Sequence, residues 1–392
     1  MITETLPFLD VTGAAFSTRS DEVRAARARH WCARTPHGLA ILRQKEAGQI
    51  LRNRRFRQGS YAWPDIIRLQ GSFAEFWKLS VISLEGDAHK SLRYLAQSAL
   101  SEDWVGAPAP QFTRSAERLC DAMREFETFD IIEQFTEPFA GRAIATLLGL
   151  AEDQADVLAA YATRLGFVMG PEAKQHIADA NAATDRISAL ASHMIDAPPA
   201  GSYTERLLAG SQADRQALID LLVISIFRGV DTTRAQLAFA AHLFNRYLEQ
   251  WTWLREHSEA VPQAIDEVIR MQPTTTWASR EALEDVIMQD VTIAAGTTLH
   301  VFIHATSTDP RIGHDGTFDV PARRKPHFGF GAGAHHCLGH LVARTDMAAA
   351  LHVWLKHWKS LDLAGTPAFL PDSRNTSPLK MPVRPVWDSQ PG

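Results

Sequence analysis

Apolar residues recur at helical spacing through the first two thirds of the chain, with polar residues between them. This period predicts a series of helices, of which the longest has a strongly apolar stretch at residues 221–227. Pro273 ends the series, because the residue before a proline disfavours helical backbone. The predicted helices cover residues 19–34, 45–53, 89–100 (with Asp87 as N-cap), 110–126, 131–149, 153–168, 174–195, 203–209, 214–245, 250–255 and 262–271.

After Pro273 the pattern changes to short β-type runs, followed by one more helix that starts after Cys337 and ends near Trp358. Residues 1–18 have no clear pattern, and no change in composition marks a linker. We therefore expect a mainly α-helical fold with minor β structure, in one domain over residues 1–392. The other segments are strands at 38–43, 285–292, 297–303 and 379–386, a long ordered loop with short helical turns at 61–81 and a meander at 306–329.

Composition narrows the class of protein. The chain has 392 residues, 45% hydrophobic and 22% charged, and a formal net charge of −5, which gives no reason to expect nucleic acid. Three widely spaced cysteines argue against a disulfide framework. The N-terminus lacks the basic and apolar regions of a signal peptide, and no apolar run approaches the roughly 20 residues of a membrane span. We expect a cytoplasmic protein.

One glycine-rich loop carries the strongest chemical signal. Residues 330–339 read FGAGAHHCLG and place Cys337 just before a predicted helix. A helix N-terminus favours a thiolate, and glycines 331, 333 and 339 leave room for a large flat ligand. A thiolate in such a place can hold a haem iron. Taken alone, a glycine-rich turn with a buried structural cysteine explains the loop as well.

Other pairs of residues have helical spacing. Glu267 and Arg270 share a helix face at i and i+3, although such pairs usually lie on a solvated surface. His89 and Arg93 share another face; with Arg280 and His335 they supply the donors that two carboxylates of a buried ligand require.

The centre of the longest helix, FRGVDTTRAQLAFA, contains Gly229 and two threonines in apolar surroundings. Thr232 is placed to return its hydroxyl to the carbonyl of Arg228, which bends a helix. Asp231 and Thr232 are then either an acid–alcohol pair that passes protons into a buried site or part of a capped interruption between two helices.

Together these sites resemble the cytochrome P450 monooxygenases of the soluble bacterial type. FGAGAHHCLG is similar to the family's haem loop F-G-x-G-x-H-x-C-x-G at every specified position, from Phe330 to Gly339. The resemblance implies that haem b is the cofactor and that Cys337 is the axial iron ligand. It also implies haem propionate contacts by His89, Arg93, Arg280 and His335, a haem-side position for Gly229, a core-locking Glu267–Arg270 pair, and proton delivery by Asp231 and Thr232.

Two departures from the family pattern stand out. Arg228 occupies a position where the family usually has alanine or glycine, on the face that looks over the haem. Its side chain either turns aside to pair with a carboxylate such as Asp231 or meets an anionic substrate. In the meander, Arg323 lies one residue later than the family's F-D-x-x-R spacing, which leaves its part in the Glu267–Arg270 network open.

The resemblance implies insertion of one oxygen atom of O2 into a C–H bond, by hydroxylation or oxidative dealkylation. Since only 55 residues follow Cys337, we expect no fused reductase domain. We also expect a monomer. Electrons from NAD(P)H would then arrive through a separate ferredoxin or flavodoxin and its reductase. That partner would dock on the cysteine side, where Lys90, Arg344, Lys356 and Lys359 could form a basic patch. A partly apolar substrate of small to medium size is expected near residues 61–81, 166–174 and 274–277, with Trp277 a candidate contact.

Three other functions compete with this one. A peroxygenase would use hydrogen peroxide in place of O2 and electrons, and a haem sensor would bind ligands without turnover. A zinc enzyme would use His336, Cys337 and His340, although no H-E-x-x-H or paired C-x-x-C motif supports it.

Overall fold

The computed structural model describes residues 6–13, 15–170, 172–322, 324, 326–372 and 375–388. In chain order its helices are α1 (Asp21–Arg29), α2 (Gln44–Arg52), α3 (Trp63–Ile66), α4 (Ser72–Leu79), α5 (Gly86–Ala99), α6 (Glu102–Gly106), α7 (Ala109–Met123), α8 (Glu137–Leu148), α9 (Glu152–Phe167), α10 (Ala173–Asp196), α11 (Tyr203–Leu208), α12 (Arg215–Arg246), α13 (Leu248–Glu256), α14 (Val261–Met271), α15 (Ile303–Ser307) and α16 (His340–His357). One turn of π-helix, Ile132–Thr136, precedes α8.

The strands are β1 (Cys32–Thr35), β2 (Gly38–Ile41), β3 (Phe56–Gln58), β4 (Phe129–Asp130), β5 (Trp277–Ala282), β6 (Val286–Met288), β7 (Val291–Ile293), β8 (Thr298–Phe302), β9 (Trp358–Leu363), β10 (Ala368–Phe369), β11 (Pro378–Lys380) and β12 (Pro382–Trp387). A five-stranded sheet has the order β1-β2-β8-β5-β3, in which β2 and β8 are parallel. Strands β4, β12 and β9 form a second sheet, and β6-β7 and β10-β11 are hairpins. The predicted mainly α-helical fold with minor β structure is confirmed.

Helix α12 runs through the middle of the molecule. Asp214 caps its N-terminus by accepting hydrogen bonds from the backbone N–H groups of Gln216 and Ala217. At 32 residues it is about 48 Å long. Its apolar side chains join one core with residues of α4, α7, α8, α9, α14 and α16. Burial of each large side chain, such as the fully buried Phe227, contributes about 1.5–3 kcal/mol.

The alternative of an interruption at the centre of α12 is wrong, because the helix is continuous from Arg215 to Arg246. The Thr232 hydroxyl donates to the carbonyl oxygen of Arg228 at 2.6 Å, as predicted. The close packing of α8 on α12 explains the glycine at position 229. A Cβ there would lie 2.5 Å from Cδ1 of Ile144, so a larger residue would require the Ile144 side chain of α8 to shift.

Two local predictions are corrected. Residues 32–34, predicted as helix, belong to strand β1, because Cys32 and Ala33 are fully buried against β2. Asp87 is not an N-cap, because α5 begins at Gly86, three residues before the predicted start, and Asp87 lies in its first turn. None of the helices in the described part of the chain is long and apolar enough to cross a membrane.

Candidate active site

The cysteine loop, residues 330–339, folds back on itself in front of α16. The backbone N–H of Cys337 donates to the carbonyl oxygen of Phe330 at 2.8 Å. Gly331 and Gly333 have φ values of +70° and +72°, a region that favours glycine. A Cβ on Gly333 would also lie 2.3 Å from the carbonyl oxygen of Leu51, so the loop packs directly against the end of α2. These contacts fix the direction of Cys337.

Opposing effects act on the Cys337 thiol. Burial raises its pKa above the ordinary value, and the backbone N–H of Gly339 and the positive charges of Arg228, Arg93 and Arg344 offset only part of that rise. Arg93 lies close enough to bond the loop itself, through Nη2 to the carbonyl oxygen of His336 at 2.5 Å. These nearby cations and the helix N-terminus are the groups that favour a thiolate at Cys337 against the effect of burial.

A cluster of donors lies between α5, β5 and the cysteine loop. The rings of His89 and His335 are 4.1 Å apart, and Nε2 of His89 and Nδ1 of His335 are buried without a hydrogen-bond partner. Arg280 is 3% exposed, and burial lowers its pKa to about 10. Since buried donors and cations are normally paired, this cluster is suited to carboxylates from a bound group.

Sequence reasoning missed Glu85, which lies in the same cluster. Its Oε1 is 3.0 Å from Nε2 of His335 and accepts the backbone N–H of Gln58 at 2.6 Å. Burial favours a raised pKa for Glu85, but the hydrogen bonds from His335 and Gln58 prevail and lower it to about 2. No motif marks this residue; only the approach of β3 to the cysteine loop gives it a role.

The central turns of α12 form the opposite wall. Oδ2 of Asp231 is 3.4 Å from Nη1 of Arg228, and its Oδ1 is 3.2 Å from Nη2 of Arg234. The second contact was not predicted, although the i, i+3 spacing from Asp231 to Arg234 is visible in the sequence. Both halves of the Asp231 carboxylate are thus held by arginines of its own helix.

Arg228 is at the edge of the space between α12 and the cysteine loop. Its Nη2 is 3.5 Å from Oγ1 of Thr275, and its guanidinium lies over the ring of Phe227 at 5.3 Å. Burial lowers its pKa, while the charges of Asp231 and Cys337 raise it. Pairing with Asp231, one of the two alternatives, is present, and the side chain also faces the cysteine.

A small cavity lies behind Asp231, with a volume of about 10 Å³, the room for one water molecule. The end of α9 comes very close here: a Cβ on Gly166 would lie 2.4 Å from Oδ1 of Asp231. The segment after Pro273 joins the same wall, since the N–H of Thr376 donates to the carbonyl oxygen of Thr274 at 2.8 Å. Trp277 lies further along, in β5, and stacks on Phe302.

The Glu267–Arg270 pair is not on a solvated surface. Arg270 is 1% exposed and bonds both carboxylate oxygens of Glu267, at 2.6 and 2.7 Å. It also donates to meander carbonyls, including Thr317 at 2.6 Å. Arg323 lies outside the described residues. Its neighbour Arg324 approaches Glu267 at 3.5 Å, so α14 is tied to the meander that leads to the cysteine loop.

The zinc alternative is not supported by the structure. Nδ1 of His340 is taken up by the backbone oxygen of Cys337, which lies 3.0 Å away. Within residues 6–388, apart from the undescribed positions, no three His, Cys, Asp or Glu side chains are grouped to hold a metal ion. Cys337 as an iron ligand stays a prediction from the sequence.

Comparison with known proteins shows the family. Residues 254–367 match the family model of cytochrome P450. Over 97% of its length the chain is 29% identical to luteothin monooxygenase of Streptomyces thioluteus, 96% of which is covered. It is 27% identical to the mycinamicin IV hydroxylase/epoxidase of Micromonospora griseorubida, with 97% and 98% of the two chains covered. The chain belongs to the cytochrome P450 family.

Solved P450 structures share this fold. The crystal structure of P450BioI with an acyl carrier protein that carries hexadec-9Z-enoic acid superposes with a TM-score of 0.85 at 22% identity. The alignment covers 93% of this chain and 97% of that one. The CalO2 structure gives a TM-score of 0.84 at 21% identity and covers 95% and 99%. This chain is a cytochrome P450 monooxygenase, and its cofactor is a haem iron.

The site fits that cofactor. The unpartnered nitrogens of His89 and His335, beside buried Arg280, provide donors for two propionates. Cys337 offers one thiolate below, and open space surrounds the missing Cβ of Gly339. In this P450 the individual roles of these residues, and those of Phe330, Gly229 and Trp277, stay predictions.

Proposed function

We propose that this P450 inserts one oxygen atom of O2 into a C–H bond of a small to medium, partly apolar substrate that carries an anionic group. The observation that carries the proposal is the position of Arg228. Its guanidinium stands where α12 faces the cysteine loop, close to Phe227 and Thr275. A cation bordered by an apolar ring suits a ligand with a carboxylate on an apolar body.

The reaction has the overall balance R–H + O2 + 2 e⁻ + 2 H⁺ → R–OH + H2O; where the hydroxylated carbon bears a heteroatom, loss of that atom gives dealkylation. When bound, the haem supplies the oxidising chemistry, which the electron donation of a thiolate favours. Cys337 would hold the iron. His89, Arg93, Arg280 and His335 would hold the propionates, and Arg228 and Thr232 lie on the α12 side of the site.

Protons reach such a site through groups that can accept and release them. Asp231 and Thr232 are adjacent on α12, and Asp231 borders the one-water cavity toward α9. A water there would connect the Asp231 carboxylate with the polar segment at Asn375 and Thr376. We assign proton transfer to Asp231 and Thr232, with each proton coming from solvent.

The electrons would come from NAD(P)H through a reductase and a separate ferredoxin or flavodoxin that docks on the cysteine side. The proposed basic patch is weaker than the sequence suggests. Lys90, Arg344 and Lys356 each pair with a carboxylate at 2.8 Å, so a neighbouring acid offsets the charge of three of the four cations. Support for this route therefore comes from the family more than from surface charge.

Spectral titration tests whether Arg228 anchors the anionic group of the substrate, which we call the Arg228 anchor. Carboxylate ligands of several ring and chain types are compared with their primary amides by the type-I shift of the haem band. We expect the wild type to prefer the carboxylates by about tenfold or more, the size of one charge-assisted hydrogen bond. Arg228→Ala should remove the preference, and Arg228→Lys should retain part of it.

Arg246→Ala is the matched control, because Arg246 is an exposed arginine in the last turn of the same helix. It should bind ligands like the wild type. Equal carboxylate affinities for the wild type and Arg228→Ala would overturn the anchor. Turnover with hydrogen peroxide, but none with ferredoxin, reductase and NAD(P)H, would replace the monooxygenase route by a peroxygenase.

A further inference from the structure

Asp231 is held by two arginines that differ in their surroundings. The Arg228 side chain is 20% exposed and faces the space above the cysteine loop, whereas the Arg234 side chain is 4% exposed. Arg234 borders the one-water cavity, and its Nε is buried without a hydrogen-bond partner. One cation can therefore meet a ligand, while the other is fixed in the interior.

The carboxylate has little freedom to leave this position. A Cβ on Gly166 would lie 2.4 Å from Oδ1 and 3.0 Å from Cγ of Asp231, so the end of α9 presses on the side that Arg234 holds. The contact of Asp231 with Arg228, on the other side, is 3.4 Å long, whereas its contact with Arg234 is 3.2 Å long. The Arg228–Asp231 contact is thus the one that can be given up without moving a helix.

We propose that Asp231 and an anionic substrate compete for Arg228, and that Arg234 sets the balance by holding Asp231 back. When the substrate's anion binds Arg228, the Asp231 carboxylate is left to Arg234 and its Oδ2 becomes available beside Thr232. Proton delivery is then tied to the presence of the substrate. Arg234 is a positioning residue here, since it acts through Asp231. The inference rests on the proposed anchoring of an anion by Arg228.

The physical reason is that one guanidinium cannot fully satisfy two carboxylates at low dielectric. Thermodynamic coupling is reciprocal. If the substrate weakens the hold of Arg228 on Asp231, then removing the Asp231 charge must strengthen the hold of Arg228 on the substrate. Removing Arg234 must do the opposite, because Asp231 would then depend on Arg228 alone.

The experiment compares the ligand affinities of the haem-loaded wild type and its variants. Type-I spectral titration measures the affinity for a carboxylate ligand and for its amide. Asp231→Asn should bind the carboxylate about tenfold more tightly than the wild type, within the usual range of coupling between sites. Arg234→Gln should bind it several-fold more weakly. Affinity for the amide should change little in either variant.

Two further variants keep the result interpretable. Arg234→Lys retains the charge and should bind like the wild type, which separates the charge from packing. In the Asp231→Asn background, Arg234→Gln should have no further effect, because the carboxylate through which it acts is gone. Unequal effects of Arg234→Gln in the two backgrounds therefore support the competition.

The outcomes separate the two proposals. If Arg228→Ala binds the carboxylate as tightly as the wild type does, Arg228 does not anchor the substrate. The proposed competition between Asp231 and the substrate is then overturned as well. Affinity that falls in Arg228→Ala but is unchanged in Asp231→Asn and Arg234→Gln leaves the anchor standing and overturns the competition. Weaker carboxylate binding by Asp231→Asn also overturns it.

Discussion

The two sides of the haem site are assembled in different ways. On the cysteine side the polar groups come from α5, β5 and the cysteine loop, and Glu85 joins them from the residue before α5. On the other side they come from consecutive turns of α12, where Arg228, Asp231 and Arg234 are spaced by three. Long-range packing thus places the first set, and helix geometry places the second.

This difference predicts which property of the protein a substitution on each side of the site will affect. Substitutions on the cysteine side should affect cofactor ligation and the stability of the fold, because the groups there tie separate elements together. Substitutions on the α12 face should leave the haem in place and change ligand affinity or the use of electrons. The following experiments can break that division.

The largest effect is expected for Cys337→Ser, which replaces the only sulfur at the loop by a weaker ligand. The strongly red-shifted Soret band of the reduced, CO-bound protein should disappear, and monooxygenase activity with it. Cys120→Ala, a change to a buried cysteine in α7, should keep the band. A red-shifted band in Cys337→Ser would remove Cys337 from its role.

Glu267→Gln should cost about 3–5 kcal/mol of unfolding free energy, because it leaves Arg270 as a buried charge without its partner. Chemical denaturation of the haem-loaded protein measures this. Glu284→Gln removes the partner of Arg55 from an exposed pair and should cost at most about 1 kcal/mol. Similar losses in both variants would mean that burial of the Glu267–Arg270 pair does not matter.

Thr232→Val tests the α12 side. The haem band should be unchanged, while product formed per NAD(P)H consumed should fall on the order of tenfold, which corresponds to one lost hydrogen bond. Thr233→Ser is the control. The hydroxyl of Thr233 donates to Asp346 at 3.2 Å, and a serine at this position keeps that hydroxyl. Loss of haem in Thr232→Val would break the proposed division between the two sides.

The smallest effect concerns pH. Burial first, then the nearby His335 and Arg93, lowers the pKa of His89 to about 4. An unfolded histidine titrates near pH 6.5. As pH falls, the unfolded chain therefore takes up the proton first, and the folded cofactor-free protein loses stability between about pH 6.5 and pH 4.

Thermal unfolding of the cofactor-free protein across that window should show a shallower pH dependence for His89→Gln than for the wild type. His37→Gln, at an exposed histidine in the turn between β1 and β2, is the control. Haem loading should also flatten the wild-type profile, because propionates favour the charged imidazole. Parallel profiles for the wild type and His89→Gln would contradict the assignment.

The sequence by itself determined most of the longer helices, the cysteine loop and the family. Apolar spacing placed α12 within one residue at each end, since a buried helix must keep its apolar residues at helical period. Local spacing also predicted the Thr232–Arg228 bond and the Glu267–Arg270 pair. In each case both partners lie within four residues on one helix, where backbone geometry alone brings them together.

Only the tertiary structure decided the contacts between distant segments. It placed Glu85 beside His335, buried Glu267–Arg270 against the meander, and brought Gly166 onto Asp231. Such contacts depend on how helices and sheets pack, and no local spacing encodes them. The same packing leaves Arg228 facing the cysteine loop. Arg234, six residues further along the same helix, is enclosed.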